Sequence, residues 1–235
     1  MTPRLFVEHR LATAQRITLS AAQTHYLTRV MRLKTGSDVI LFNGRDGEWA
    51  CRIDQLKPSA ELTCTQLRRA QLQPPDVWLL FTPLKRPRTE FAVEKATELG
   101  VARILPILTE RCERHSVNLT RLRAIATEAA EQCGALSVPE IRDTLPLLSV
   151  LVDWPAGRRL YFCDEEFSAV PDAPRISGGG VSRAVLIGPE GGFTEGERTR
   201  LAAMPFISHV GLGKRILRAE TAVAAALALM NMGCG

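Results

Sequence analysis

Short apolar segments alternate with longer helical ones along the chain from about residue 77 onward. The runs VWLLFT (77–82) and AVLIG (184–188) are apolar on both faces, which is typical of strands buried inside a parallel sheet. The segments TEFAVEKATELG (89–100) and TRLRAIATEAAEQCG (120–134) are predicted to be helices, each ended by a glycine. Three further strands are predicted, the last one weaker: ARILPIL (102–108), LYFC (160–163) and HVGL (209–212). This alternation predicts an α/β domain whose mostly parallel sheet is covered by helices on both faces.

The residues before this region follow a different pattern, of short strands and turns. The run DVILFNGRDGEWACRI (38–53) places two β-rich segments around glycines and Asx residues that suit the positive φ angles of a hairpin loop. A further strand is predicted at AELTCTQL (60–67). One helix is predicted at SAAQTHYLTRVMRL (20–33), where Ser20 can cap and four apolar residues recur at helical spacing: Tyr26, Leu27, Val30 and Met31. This pattern predicts a small β-barrel with one helix.

The two patterns meet at residues 71–75, where the consecutive prolines Pro74 and Pro75 break regular structure. A chain of 235 residues is long for one compact domain and comfortable for two, because domains most often contain roughly 100 to 150 residues. We therefore predict two domains, one of residues 1–72 and one of residues 73–235.

Composition and charge narrow the class of protein. The chain has 30 Lys and Arg against 25 Asp and Glu, a net charge of +5, which favours a polyanionic partner without establishing one. Its six cysteines are scattered, with no C-x-x-C pair and no histidine at metal-ligand spacing, so we predict no metal site and free thiols in a reducing cytosol. The start lacks an apolar signal region, and no apolar run approaches the roughly 18 residues that span a bilayer, so we predict a cytoplasmic protein without membrane contact.

A glycine-bearing loop follows one of the buried strands, in LIGPEGGFTEGE (186–197). Its small or rigid residues allow backbone to approach a ligand closely. Thr194 and Glu197 have the spacing of a capping box, which predicts a helix directly behind the loop. If this loop stood alone, an ordinary strand-to-helix turn would be the better explanation of it.

A second loop lies in HVGLGKRILRAETAVAAALALM (209–230), where a strand is predicted to end at Leu212 and Gly213. A basic turn follows, and a long alanine-rich helix closes the chain. Arg218, Glu220 and Thr221 are crowded at the start of this otherwise apolar helix. These three residues either have a function or only stabilise the end of the helix as charges and a cap. The second alternative is reasonable because a glutamate is favourable at a helix N-terminus on electrostatic grounds alone.

Taken together, GPEGG after one strand and LGKRILRAETA after the next resemble the knotted SPOUT methyltransferases, specifically the 16S ribosomal RNA uridine-N3 methyltransferase family. KATELGVARILPILTERC (95–112), IATEAAEQCG (125–134) and HYLTRVMRLKTGSDVILFNGRDGEW (25–49) are also similar to that family, so the resemblance covers nearly the whole chain. It implies a PUA-like, RNA-binding β-barrel for residues 1–72. For residues 73–235 it implies a SPOUT α/β domain with a trefoil knot.

By this resemblance the cofactor is S-adenosylmethionine, held in the knot by three loops at residues 109–111, 188–192 and 212–217. The family's homodimer, in which the partner subunit completes each active site, is expected on the same terms. The cofactor-binding candidates that follow are Thr109, Glu110, Gly188, Pro189, Glu190, Gly191, Gly192, Leu212, Gly213, Ile216, Leu217 and Thr221.

The same resemblance implies methylation of N3 of a specific uridine in the decoding region of 16S ribosomal RNA, with the free RNA or the small ribosomal subunit as partner. Arg218 is the first candidate to stabilise the uridinate anion, because a fixed guanidinium beside O2 or O4 favours the deprotonated base. Glu190 and Glu220 are the nearby carboxylates, and either could be the general base or be structural. The RNA-binding candidates are Arg4, Arg29, Arg32, Lys34, Lys85 and Arg88.

Two places depart from the family's pattern. Residues 85–88 read Lys-Arg-Pro-Arg where the family has Lys-Gly-Asp-Arg, which keeps the positive charge and stiffens the loop. Ala135 stands where an arginine usually follows the glycine of EQCG, which removes a candidate RNA or dimer contact. These changes concern affinity for the target more than cofactor binding.

Two other functions stay open on the sequence. One is a knotted methyltransferase that acts on another RNA atom, such as a ribose 2'-hydroxyl or a guanine. The other is a catalytically silent RNA-binding protein of ribosome assembly that has lost cofactor affinity. The intact GPEGG and LGKRILRAET favour an enzyme over the silent protein.

Overall fold

A computed structural model describes residues 2–113, 116–168 and 182–232 of the protein. These residues form two compact units. The first contains Met1–Pro74 together with Ala130–Val138, and the second contains Pro75–Ala129 together with Pro139–Gly235. No helix in the described part of the chain has the length and apolar character needed to cross a bilayer.

The first unit is built on a five-stranded sheet with the strand order β1-β3-β4-β5-β2. Its strands are β1 (Arg4–Phe6), β2 (Arg16–Thr18), β3 (Asp38–Phe42), β4 (Glu48–Gln55) and β5 (Glu61–Arg69). β1 pairs parallel to β3, and all other pairs in this sheet are antiparallel. Alternate residues of the central strands, such as Val39, Leu41, Ile53 and Leu62, form the core. The β3–β4 hairpin and β5 lie where the sequence predicts them.

The hairpin loop depends on two glycines with positive φ, Gly44 at 77° and Gly47 at 82°. A Cβ at Gly47 would lie 2.3 Å from the backbone oxygen of Arg69, so only glycine fits there. The side-chain oxygen of Asn43 accepts hydrogen bonds from the backbone N–H groups of Arg45 and Asp46. The predicted Asx and glycine chemistry therefore forms this turn.

The predicted helix of this unit is present, and its apolar face is smaller than predicted. Ser20 caps helix α1 (Ala21–His25) and exchanges hydrogen bonds with Gln23. The chain then continues as a π-helical turn, Tyr26–Val30. Leu27 is buried in this turn, whereas Tyr26 is 37% exposed and Val30 is 61% exposed. The sequence prediction was wrong here because a π turn has more residues per turn than the α-helical spacing assumes.

A buried carboxylate, Glu48 at the start of β4, joins three parts of the first unit. Its side chain accepts hydrogen bonds from Arg4 at 2.8 Å and from Arg69 at 2.6 Å. Arg4 also donates to the backbone oxygens of Ala130 and Glu131. Burial raises the pKa of Glu48, but the hydrogen bonds from Arg69 and Arg4 outweigh it and lower this pKa below its usual value. Glu48 therefore stabilises this unit in its ionised form.

We expect Glu48→Gln to lower the free energy of unfolding by about 3 kcal/mol at neutral pH, because two arginines lose their buried carboxylate. In the wild type this contribution should be complete above the usual glutamate pKa of about 4.3 and should disappear as the pH falls through the lower pKa of the folded state. Denaturant unfolding of both proteins at several pH values measures this.

Asp38→Asn is the matched control, since Asp38 pairs with Arg52 on the surface, where the two side chains are 66% and 63% exposed. Such exposed pairs contribute roughly 0 to 1 kcal/mol. Equal losses of stability in the two variants would contradict the assignment.

The second unit contains a parallel sheet with the order β12-β10-β11-β6-β7-β8, and a short strand, β9, that pairs with β7. Every pair in it is parallel, as predicted. The strands are β6 (Asp76–Phe81), β7 (Arg103–Leu108), β8 (Glu140–Ile141), β9 (Leu145–Pro146), β10 (Arg159–Cys163), β11 (Ser182–Ile187) and β12 (Ile207–Val210). β12 ends two residues before the predicted Leu212, so Leu212 and Gly213 belong to the loop that follows.

Helices cover both faces of this sheet. They are α2 (Arg86–Glu98), α3 (Leu119–Cys133), α4 (Leu147–Val152), α5 (Glu165–Ser168), α6 (Glu195–Ala202) and α7 (Ala219–Met232). On one face Leu147, Leu151 and Leu201 pack against the strands. α7 contacts both β11 and α2. α2 begins earlier than predicted because Pro87 lies in its first turn, where a proline costs no hydrogen bond.

The direction of the strands decides where the loops meet. Because β6, β7, β10, β11 and β12 are parallel, their carboxyl ends lie at one edge of the sheet. The order of strands along the chain reverses between β6 and β11, since β7 and β8 follow on one side and β10 and β12 lie on the other. Ligands of open α/β sheets bind at the carboxyl edge beside such a reversal.

Candidate active site

A cavity of about 260 Å³ lies at this carboxyl edge. The loops after β10, β11 and β12 and the first turns of α7 line it. Its lining residues are Cys163, Asp164, Glu165, Ile187, Gly188, Pro189, Glu190, Gly192, Phe193, Leu212, Arg215, Ile216, Leu217, Arg218, Ala219 and Ala222. The structure therefore brings together the two glycine-bearing loops that the sequence singled out.

The loop after β11 is tightly packed, and this explains its glycines. Gly192 has a φ of 65°, and a Cβ there would lie 2.7 Å from a carboxylate oxygen of Glu165. A Cβ at Gly188 would lie 2.3 Å from the ring of Phe193. The backbone N–H of Gly192 donates to the oxygen of Pro189 at 3.0 Å, which closes the turn. Gly191 is exposed and lies outside the cavity lining.

The loop after β12 contributes apolar side chains and two arginines, Arg215 and Arg218, that have no ion-pair partner within the described residues. Leu212, Ile216 and Leu217 line the cavity, and Ile216 is 79% exposed. Arg218 also lines it and is exposed, and its side chain makes no hydrogen bond or ion pair within the described residues. Gly213 has a φ of 110° and nothing within 4 Å of the position of a Cβ, so it sets the backbone turn without lining the cavity.

Both candidate carboxylates are bound by one arginine, Arg88 of α2. Arg88 donates a short hydrogen bond to Glu190, and its Nε lies 3.6 Å from a carboxylate oxygen of Glu220. The other oxygen of Glu220 is buried and has no hydrogen-bond partner among the described residues. Glu190 lines the cavity, whereas Glu220 and its exposed neighbour Thr221 do not. Arg88 is thus engaged by two carboxylates, of which Glu190 is 53% exposed, and its contact with RNA stays a prediction.

The loop after β7 lies next to this region and is held by a buried glutamate. Glu197 of α6 accepts hydrogen bonds from the backbone N–H of Glu110 at 2.8 Å and from that of Thr194 at 2.9 Å. The carboxylate of Glu110 binds Thr194 and Arg200, and these hydrogen bonds lower its pKa. Thr109 is buried, and its hydroxyl has no partner within the described part of the chain. Neither Thr109 nor Glu110 lines the cavity.

The sequence did not indicate that the loop after β10 contributes to the cavity. Asp164 is buried there and accepts two hydrogen bonds from Arg198, at 2.7 and 3.2 Å. Burial raises the pKa of the neighbouring Cys163 thiol, so this cysteine stays protonated and unreactive. The apolar run LYFC predicted the strand, and the acidic residues directly after it were the available signal of a site at its carboxyl end.

The remaining predicted RNA contacts differ in their surroundings. Arg4 is engaged by Glu48 and by backbone oxygens, with a side chain 13% exposed, so it serves the fold, and its contact with RNA stays a prediction. Arg29, Arg32 and Lys34 are exposed in the first unit. Lys85 is exposed at the residue that precedes α2.

Comparison with known protein families assigns the class. Residues 71–231 match the model of an RNA methyltransferase domain, and residues 19–62 match that of an RNA methyltransferase PUA domain. The ribosomal RNA small subunit methyltransferase E of Rickettsia conorii is 31% identical over 97% of this chain and 95% of its own length. That of Synechocystis is 32% identical over 98% of this chain and 78% of its own. The chain belongs to the ribosomal RNA small subunit methyltransferase E family.

Solved structures agree with this assignment over the whole chain. The crystal structure of a ribosomal RNA small subunit methyltransferase E from Neisseria gonorrhoeae bound to S-adenosyl methionine is 28% identical, with a TM-score of 0.88, and covers 99% of this chain and 98% of its own. A methyltransferase structure from Legionella pneumophila, in complex with the same cofactor, is 26% identical and has a TM-score of 0.86 over 99% and 98% of the two chains.

Glu197 provides a test of how the loops are held. Glu197→Ala should lower the free energy of unfolding by about 3 kcal/mol, because two backbone N–H groups lose a charged acceptor. Amide hydrogen exchange at Glu110 and Thr194 should accelerate at the same time. Glu195→Ala in the same helical turn is the control, since Glu195 is exposed and its replacement should change stability by less than about 0.5 kcal/mol. Unchanged exchange at Glu110 would show that Glu197 does not hold this loop.

Proposed function

We propose that this protein transfers a methyl group from S-adenosylmethionine to N3 of a uridine in 16S ribosomal RNA. The observation that supports it best is the cavity at the carboxyl edge of the sheet, formed by the two loops that resemble the family's motifs. The family assignment and the relatives solved with S-adenosyl methionine support the choice of cofactor. Methylated-nucleoside analysis of 16S RNA from cells with and without the gene tests the proposal directly.

The residues around the cavity suit S-adenosylmethionine. Leu212, Leu217 and Ala222 offer apolar surface for an adenosine, and the loop that contains Gly188 and Gly192 presents backbone groups at the rim. Thr109, Glu110, Gly191, Gly213 and Thr221 stay candidates on the resemblance alone, since they lie outside the lining. When bound, the cofactor supplies an electrophilic methyl group on a positively charged sulfur.

The protein must manage the proton and the charge of the uridine. N3 is an imide nitrogen that carries a proton, so this proton must pass to a base before the nitrogen can bond to the methyl group. The negative charge then spreads over O2 and O4 of the ring. Arg218 is suited to stabilise it, because its side chain lines the cavity and meets no carboxylate within the described part of the chain.

Glu190 and Glu220 are the candidate bases, and Arg88 affects both. Glu190 lines the cavity, so it is the carboxylate placed to reach a substrate directly. Its ion pair with Arg88 would have to loosen before it could accept a proton. Glu220 has a buried oxygen with no donor among the described residues, and this oxygen can accept a hydrogen bond from an N–H group. We propose Glu190 as the first base to test and Glu220 as its alternative.

We also propose a homodimer and an RNA-binding role for residues 1–72. Phe91 of α2 and Leu229 of α7 are large exposed apolar residues on two helices that pack together, which favours a partner surface. The match of residues 19–62 to a PUA domain of RNA methyltransferases supports the role of the first unit.

Two rival functions are tested by separate measurements. Mass spectrometry of the modified nucleoside distinguishes N3 of uridine from a ribose 2'-hydroxyl or a guanine. Calorimetry with S-adenosylmethionine distinguishes an enzyme from a silent RNA-binding protein, since the silent protein would not bind the cofactor.

Arg218→Ala should reduce the single-turnover rate on the order of a hundredfold to a thousandfold, the usual effect of removing one preorganised donor to a developing anion. Affinities for S-adenosylmethionine and RNA should change little, because the contact is made only in the transition state. Arg218→Lys should restore little activity, since a point charge does not reproduce a planar two-pronged contact. Rapid-quench kinetics and calorimetry measure these quantities. A variant that keeps its rate and loses RNA affinity would make Arg218 a phosphate contact instead.

The triple replacement of Arg29, Arg32 and Lys34 by alanine should weaken binding of 16S RNA on the order of tenfold at low salt and reduce the salt dependence of binding, because phosphate contacts release counterions. Affinity for S-adenosylmethionine should stay unchanged. Fluorescence anisotropy across a salt series measures the effect, with Arg16→Ala as the control, since Arg16 is exposed on β2 of the same unit. Equal effects of the triple variant and the control would show that Arg29, Arg32 and Lys34 do not belong to the RNA-binding surface.

A further inference from the structure

A second cavity, of about 320 Å³, lies on the same sheet edge and shares no lining residue with the first. The loop after β6 and the first turns of α2 and α3 form it. Its polar lining includes Arg86, Glu90, Asn118 and Arg121. Nothing in the mechanism above uses these residues.

The charges in this cavity are arranged around one carboxylate. Glu90 accepts a hydrogen bond from Nε of Arg86 at 2.9 Å and two from Arg121, both at 3.3 Å. Two guanidinium groups therefore share one negative charge, which leaves the cluster with a net charge of +1. The two Nη groups of Arg86 and Nη1 of Arg121 make no hydrogen bond within the described residues, so they can still donate.

The backbone around the cluster is held in place. The hydroxyl of Thr89 donates to the backbone oxygen of Leu84 at 2.9 Å and accepts from its N–H at 2.8 Å, which fixes the start of α2 against the loop after β6. The side chain of Asn118 accepts from the N–H of Arg121 at 3.0 Å and caps α3. The two arginines thus project from rigid helix starts into a preformed cavity, and the positive end of α3 adds to their field.

We propose that this cavity binds the phosphodiester backbone of the RNA substrate, next to the nucleotide that is methylated. A phosphate would replace the carboxylate of Glu90 between the two arginines, whose planar forks match its oxygens. This inference rests on the proposed function, since it assumes an RNA substrate at the first cavity.

The position of the cavity favours RNA over a small anion. The loop after β6 lines it, and β6 is the direct neighbour of β11, whose loop lines the first cavity. An enzyme that takes a base out of its stack must hold the backbone beside that base, and phosphate contacts provide this hold without reading sequence. Both arginines line the cavity, so a backbone phosphate of a bound RNA strand could contact both guanidinium groups at once.

The first test compares three single replacements: Arg86→Ala, Arg121→Ala and the control Arg123→Ala. Arg123 is also exposed on α3, two residues from Arg121, but does not line the cavity. The first two variants should bind labelled 16S RNA roughly two- to fivefold more weakly at low salt, with a salt dependence smaller by about one counterion. The control should match the wild type, and calorimetry should give unchanged affinity for S-adenosylmethionine in all three.

Glu90→Gln distinguishes an RNA site from a structural ion pair. If Glu90 only joins α2 to α3, its replacement should lower stability and leave RNA binding unchanged or weaker. If it occupies the place of a phosphate, its replacement should raise RNA affinity, because both arginines are released. Unchanged or weaker binding by Glu90→Gln, or equal binding by Arg121→Ala and Arg123→Ala, would overturn the proposal while wild-type methylation of RNA still supports the proposed function. A wild-type protein that binds no 16S RNA would overturn both.

Discussion

The parallel pairing of β6 with β11 is the contact on which the rest of the second unit depends. Residues 76–81 lie in register against residues 182–187, so the loops that follow the two strands begin side by side. β10 and β12 extend the same edge in one direction and β7 extends it in the other. Because the strand order reverses at this pair, the loops on its two sides diverge and leave space for ligands. Both cavities lie along this edge.

At the carboxyl edge of the sheet, two charged side chains each form ion pairs with two residues of opposite charge. Arg88 binds two carboxylates, Glu190 and Glu220, while Glu90 binds two arginines. The first cluster therefore has one negative charge in excess and the second has one positive charge in excess. Such an excess charge is available to a substrate. Arg215 and Arg218 line the first cavity, and neither has a carboxylate partner within the described residues. The arrangement suits a reaction that creates negative charge on a nucleobase and holds a polyanion beside it.

Many elements could be predicted from the sequence because they depend on residues close together in the chain. The apolar runs 77–82 and 184–188 are strands, and Gly100 and Gly134 follow helices with φ values of 76° and 82°. The cap at Ser20 and the capping box of Thr194 and Glu197 form as predicted. β8 and β9 have two residues each, too few to show any periodicity. The domain boundaries at residues 72 and 73 and the knot stay predictions.

The sequence also determined which loops carry the glycines and charged residues of the site, since each follows a recognisable strand. The partners of these residues were decided by the tertiary structure. Arg4 and Arg88 are both arginines, the residue type that suits an RNA phosphate contact. In the structure, however, Arg4 binds Glu48, and Arg88 binds Glu190, which lies 102 positions further along the chain. The loop at Asp164 likewise lines the cavity because β10 lies between β11 and β12 in the sheet. Backbone conformation follows from local sterics and hydrogen bonds, whereas the partner of a charged side chain depends on which strands become neighbours in the sheet.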